Sequence, residues 1–230
     1  MARWLVELSG DRHDLEALPK HFPDGDVFAV RESESYFLTG QRFEQLGSSE
    51  AVLAEALAAI DRFTAIVSLL NPSFRKPTAN HVIHEKDDGI RDIFVQMAGS
   101  LEMRSQMGTV AIGGSIPGSL QPTQAQQMLA RATQSVHLER ALVLWSQPNR
   151  SWPRLYTILE EIEQHLGTTA NSARLCLAKE RDRFRRTANS AEVAGSEARH
   201  AIGKFKPSPN PMTLGDADAY IGRMLMAALQ

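Results

Sequence analysis

One cysteine in 230 residues, Cys176, leaves no second thiol for an internal disulfide and no cysteine set for a zinc site. It sits in Leu175-Cys-Leu177, on what reads as a helix, and is expected to be an inert buried thiol. Long apolar runs are missing too. The longest candidate, Ala51 to Leu70, carries Glu55, Asp61 and Arg62, which excludes a membrane span. There is no charge excess of either sign: the net charge is −2 and the pI about 6.4, so any attraction to nucleic acid or an anionic membrane must come from a local patch. Glu7, Asp11 and Arg12 break up the apolar stretch that a secretory leader would need, and the expected location is the cytoplasm.

Cofactor loops are absent in the same sense. The glycine-rich stretch Gly108 to Gly118 ends in no Gly-Lys-Ser/Thr and lacks the dinucleotide spacing, so neither phosphate-loop reading applies and no cofactor is expected. His81 and His84 do not make a metal pair. On a strand their rings point to opposite faces with no third ligand nearby, and no metal is expected.

The residues that are present describe an α+β chain in two halves. In residues 3 to 112, Trp4, Val6 and Leu8 alternate, Val27–Val30 and Tyr36–Leu38 flank a polar Glu-Ser-Glu-Ser turn, and Ser48-Ser49 opens one long helix. Leu53, Ala56, Leu57, Ile60, Thr64 and Val67 form its stripe until Asn71-Pro72 stops it. Asn80 to Lys86, the turn Asp87-Asp-Gly89 and Ile90 to Met97 spell a hairpin, and Leu101 to Gln106 with Thr109 to Ile112 reads as a further strand pair. The expectation is a mainly antiparallel sheet covered by the long helix. Gly113 to Ser119, three glycines and a proline in seven residues, reads as a linker. The boundaries are then 1–112 for the α+β domain, 113–119 for the linker and 120–230 for an all-α bundle.

In that bundle Thr123 can cap a helix whose stripe is Met128, Leu129, Ala132, Val136, Leu142 and Trp145. A second helix starts at Pro153, buries Leu155, Ile158, Leu159, Ile162 and Leu166, and stops at Gly167. Its Glu160, Glu161 and Glu163 read as a solvated face. The last helix opens with a Thr213/Asp216 capping box and buries Leu214, Ala217, Ile221, Met224, Leu225 and Ala228. Met97, Met103, Met107, Met212, Met224 and Met226 read as core filler.

Possible chemistry and unusual composition coincide only between Arg174 and Gln230. Nine Lys/Arg against four Asp/Glu lie between Arg174 and Lys206, in a chain that is acidic overall. Ala173, Leu177 and Phe184 would turn inward while Lys179, Arg181, Arg183, Arg185 and Arg186 spread over the rest. Two readings of these cations stand side by side. They attract a phosphate-bearing ligand, or they pair with Glu160, Glu161 and Glu163 of the preceding helix. His200, beside Arg199, is the histidine placed for proton transfer, with Arg199 or Arg186 to hold a phosphodiester. Arg181, Arg185, Asn189 and Ser190 are the candidate ligand contacts.

The pattern Leu155-Tyr-Thr-Ile-Leu-Glu160, Phe184-Arg-Arg-Thr-Ala-Asn-Ser190, Gly195, Ala198-Arg-His200 and Pro211-Met-Thr-Leu214 resembles the C-terminal region of a set of bacterial proteins of uncharacterised role. More distantly, the helical half is similar to HEPN domains, which include metal-independent ribonucleases and non-catalytic nucleic-acid or defence modules. There an arginine precedes a histidine by a short spacing. Here Arg199 adjoins His200 and Arg186 lies much further back. The favoured expectation is a non-enzymatic binding or regulatory protein with a protein partner. The alternative is a ribonuclease-like or nucleic-acid-binding module using Arg181 to His200, and a homo-oligomer stays open.

Overall fold

The computed structural model describes residues 2–97, 100–107, 121–198 and 208–230. In order along the chain they form β1 (Arg3–Ser9), α1 (Arg12–His21), β2 (Phe28–Glu32), β3 (Ser35–Thr39), α2 (Gln41–Glu44), α3 (Ser49–Leu70), β4 (Thr78–Glu85), β5 (Ile90–Met97) and β6 (Ser100–Met107). There follow α4 (Gln124–Ala132), α5 (Val136–Ser146), α6 (Trp152–Leu166), α7 (Ala178–Ala188), α8 (Ala191–Ala194), a 3-10 turn at Gly195–Glu197 and α9 (Leu214–Ala228). The fold is α+β. Its two compact units are Met1–Gln126 and Gln127–Gln230, the division falling within α4. The expected linker and the expected strand Thr109 to Ile112 lie outside the described residues. No described helix is long and apolar enough to cross a membrane.

The first unit is an antiparallel sheet in the order β2-β3-β1-β4-β5-β6. α3 lies against β1 and β4. Ser48 accepts from the Ala51 N–H at 3.3 Å to start α3, and the apolar face then runs through Val52, Ala56, Ile60, Phe63 and Val67, all buried. Leu57, expected on that face, is 43% exposed. The stripe is centred on Ala56 and Phe63, which places Leu57 at its edge.

α1, which contains Pro19, has no counterpart in the sequence reading. At this position the proline forfeits one backbone hydrogen bond of the helix. Asp11 Oδ1 caps the start by accepting from the His13 N–H at 2.9 Å, and buried Leu15, Leu18 and Phe22 fix the inner face. Phe22 stacks on Phe63 of α3, ring centroids 3.8 Å apart.

On the opposite sheet face, Leu5, Phe37 and Ile83 form a small apolar cluster joined by Val30 and Ile93. Four charges share that face: Arg3, Glu85 and Arg91 stand in register on β1, β4 and β5, and Glu32 reaches them from β2. Burial pushes the Glu85 carboxyl upward, but the guanidiniums of Arg91 and Arg3 outweigh it and hold the group below the usual carboxylate range.

In the second unit the single helix expected from Thr123 to Gln147 is two. Thr133-Gln134-Ser135 breaks it, and Ser135 Oγ caps α5 by accepting from the Leu138 N–H at 3.4 Å. Val136 therefore begins a new helix and is 58% exposed instead of lying in the stripe. α6 follows the expectation except at Leu166, which is half-buried: Pro153 is in the first turn, Leu155, Ile158, Leu159 and Ile162 are buried, and Gly167 at φ 63° closes it in the left-handed conformation. α5, α7 and α9 all pack on α6. α9 starts with the Thr213/Asp216 capping box and buries Ala217, Ile221, Met224, Leu225 and Ala228, but Leu214, its first residue, is 40% exposed.

Gly40 has φ 149°, and a Cβ there would stand 2.1 Å from the Asp26 carbonyl oxygen. Gly40→Ala is expected to lower stability by at least about 2 kcal/mol, measured by urea denaturation.

Candidate functional site

α7 carries five cations in eleven residues and one large apolar side chain, Phe184. Phe184 is fully buried among Trp152, Tyr156 and Tyr220, with ring centroids at 6.2, 6.0 and 5.6 Å. This aromatic anchor fixes which way each arginine leaves the helix.

Arg181 points at α6 and grips Glu163 through two parallel bonds, Nε to Oε1 at 2.6 Å and Nη2 to Oε2 at 2.8 Å. The same carboxylate accepts from the Ala170 N–H at 2.9 Å. Burial raises the Glu163 pKa, yet Arg181 and the Ala170 N–H together hold it below its ordinary value. The expected solvated acidic face is thus engaged in part. Glu161 likewise meets His137 Nδ1 at 2.7 Å.

Arg183 reaches the proline-rich segment, donating to the Asn210 carbonyl at 2.6 Å and the Pro211 carbonyl at 3.1 Å. Thr187, fully buried, donates to the Arg183 carbonyl at 2.8 Å and accepts from the Met212 N–H at 3.2 Å. These contacts tie the segment before α9 to α7. Sequence reading counted Arg183 among the cations without its carbonyl partners and gave Thr187 no role, although a threonine in the helix interior signals a hydroxyl returned to its own backbone.

Arg185 donates through Nε to Tyr156 Oη at 3.2 Å, and Arg186 pairs with Asp182 at 2.9 Å on the exposed side. One turn later, Asn189 Nδ2 donates to the Arg185 carbonyl at 2.8 Å. The Asn189 carboxamide oxygen and Ser190 Oγ are both buried and lack a partner among the described residues. Arg199 and His200 lie outside the described residues. Of the expected ligand contacts, Arg185 and Asn189 come together, while Arg181 is turned away toward Glu163.

A cleft that no sequence signal marked opens at the corner between α6 and α7. This surface cleft, of about 460 Å³, is lined by Asn171, Arg174, Cys176, Leu177, Ala178 and Glu180. Arg174 has φ 63°, the left-handed conformation. Cys176 is half-buried in the loop before α7, not on a helix, and its Sγ accepts from Tyr220 Oη at 3.2 Å. Burial and this thiol raise the Tyr220 pKa. Leu177 is the largest departure from expectation: it is the N-cap residue of α7 and 69% exposed, not inward-facing. Helical phase counted back from Phe184 placed it inside, but the helix begins only at Ala178. No group of three or more His, Cys, Asp or Glu that could hold a metal ion occurs among the described residues.

No protein-family model, curated protein or solved structure matches this chain.

The Glu163 pKa is lower in the folded state than in the unfolded chain. Its contribution is present above the unfolded carboxylate pKa and is lost as pH falls through the folded one. Glu163→Gln is expected to cost about 1–3 kcal/mol at neutral pH. Denaturation curves from neutral to acidic pH should show the wild-type advantage shrinking below about pH 4.

Proposed function

We propose that this chain is a non-enzymatic binding protein that engages a protein partner through the α6–α7 corner of its helical unit. The observation that carries this reading is Leu177. Helix N-caps favour Ser, Thr, Asp or Asn, whose side-chain oxygen accepts from the first-turn N–H groups. Leucine offers no acceptor and exposes apolar surface, so it breaks a local rule with no gain in folding. Beside it lie the cleft and two exposed cations, Arg174 and Lys179. That combination suits a partner presenting an apolar side chain next to a carboxylate.

A photo-cross-linking residue at position 177, in the organism that encodes the chain, should give a discrete protein adduct that is absent at the exposed control Leu57 and weakened by Arg174→Glu. An adduct of twice the chain mass would make the partner a second copy. Equal adducts at both positions, or none at 177, would overturn the reading.

The buried carboxamide oxygen of Asn189 and hydroxyl of Ser190, without a partner among the described residues and one turn beyond exposed Arg185 and Arg186, favour a second reading, a phosphate or nucleic-acid ligand at Arg181 to His200. Binding of labelled single-stranded RNA should then weaken steeply between about 50 and 200 mM salt. Cleavage that disappears in His200→Ala would make the module ribonuclease-like, and salt-insensitive or absent binding would remove this reading.

A further inference from the structure

The sheet of the first unit carries an ion cluster whose geometry its register does not explain. Arg3, Glu85 and Arg91 are direct cross-strand neighbours. Glu32 is not. It ends β2 opposite Ser35, beyond the Leu8–Tyr36 pair that closes the β1–β3 ladder, and so belongs to the other end of the sheet from Arg3. Yet Glu32 Oε1 stands 2.7 Å from Arg3 Nη2, and Glu32 Oε2 3.1 Å from Arg91 Nη2.

Diagonal corners of a sheet meet only when it coils strongly, bringing one corner over the concave face. Alternation along the strands puts Leu5, Val30, Phe37, Ile83 and Ile93 on the same face as the four charges, and these five side chains pack together. The corner that folds over is the tip of the β2–β3 hairpin, residues 30–35. β2 is an edge strand whose ladder is with β3; the Ala29 N–H on its outer side donates to the Phe22 carbonyl at 3.0 Å, but among the described residues the backbone of the tip itself, residues 30–35, is paired only within the hairpin. Its remaining polar ties to the rest of the unit are weak, Ser35 Oγ to Glu7 at 3.4 Å and the exposed pair Arg12–Glu34 at 3.9 Å, while Arg31 bonds within the tip, to the Ser33 carbonyl at 2.9 Å and Glu34 at 3.3 Å. Glu32 is the contact that reaches across.

We propose that the tip of the β2–β3 hairpin is a flap over the apolar concave face, held shut by the Glu32 clasp on Arg3 and Arg91 and opening as a unit when that clasp is lost. Opening separates Val30 from Leu5, Ile83 and Ile93 and uncovers an apolar floor. The central ladder Arg3–Glu85–Arg91 keeps its own pairing at 2.6 to 3.4 Å and does not depend on Glu32.

Hydrogen exchange on the full chain, read by mass spectrometry, tests this. In Glu32→Gln, amides of residues 30–35 should exchange about tenfold faster while those of 79–85 keep their wild-type rates. Anilinonaphthalene sulfonate fluorescence should rise in parallel, and high salt should move wild type in the same direction. In an Arg3→Gln background, where half of the clasp is already gone, Glu32→Gln should speed exchange of residues 30–35 by clearly less than in wild type, which separates a clasp from general loosening. Unchanged exchange in Glu32→Gln, an equal increase throughout the sheet, or the same increase in both backgrounds would each overturn the proposal.

Discussion

The helical unit is organised by the need to match α7. A helix with five cations in eleven residues can be set against its neighbours only if each guanidinium that loses water finds an acceptor in the right direction. Phe184 fixes the rotation of the helix, and from that rotation each arginine has a definite destination. Arg181 meets a carboxylate, Arg183 two backbone carbonyls and Arg185 a phenol. The choice of carbonyls has a reason. A proline-rich segment has few N–H groups and builds no ladder of its own, so a planar guanidinium with several donors is an effective way to hold it. α9 begins immediately after that anchorage, which makes the arginine-rich helix the element that decides where the last helix enters. Tyr220 of α9 then closes the loop by packing back on Phe184 and donating to Cys176.

The sheet unit solves a similar problem with charges on both sides of the contact. Its ions lie on four strands, and three of them are paired by register alone. The fourth, Glu32, connects places that register keeps apart. Ion pairs are usually weak contributors to stability, yet one that bridges distant corners constrains shape even where its net energy is small. Among the described residues the apolar cluster beneath has five members, so its closure depends on what holds the hairpin tip in place.

Function is best sought in residues that folding does not account for. Arg183 and Thr187 are accounted for, because their partners are the backbone they hold. Leu177 is not, and neither are the carboxamide oxygen of Asn189 and the hydroxyl of Ser190. These leftovers lie at opposite ends of α7, the first apolar and exposed, the second polar and buried, and they suit different ligands.

Much of the architecture was legible in the residues. The 48–71 helix, the Asp87-Asp-Gly89 hairpin, the Pro153–Gly167 helix and the Thr213 capping box follow from local chemistry, since caps, turns and stripes act within a few residues. Where reading failed in the helical unit, a local signal pointed the wrong way: an apolar phase counted across Ser135 or back to Leu177 ran past a helix start. The candidate site was legible as a segment but not as an arrangement. Composition marked Arg174 to Gln230, and the suggestion that its cations pair with the α6 carboxylates holds for Arg181 and Glu163. Which arginine takes a carboxylate, which takes carbonyls, and that Glu32 meets Arg3 across a sheet diagonal depend on contacts between residues far apart in the chain. Sequence by itself determined the elements, because hydrogen-bond caps and side-chain periodicity are short-range. Tertiary structure alone decided the pairing of charges, because a charged side chain accepts any partner of suitable chemistry and only packing selects which one is near.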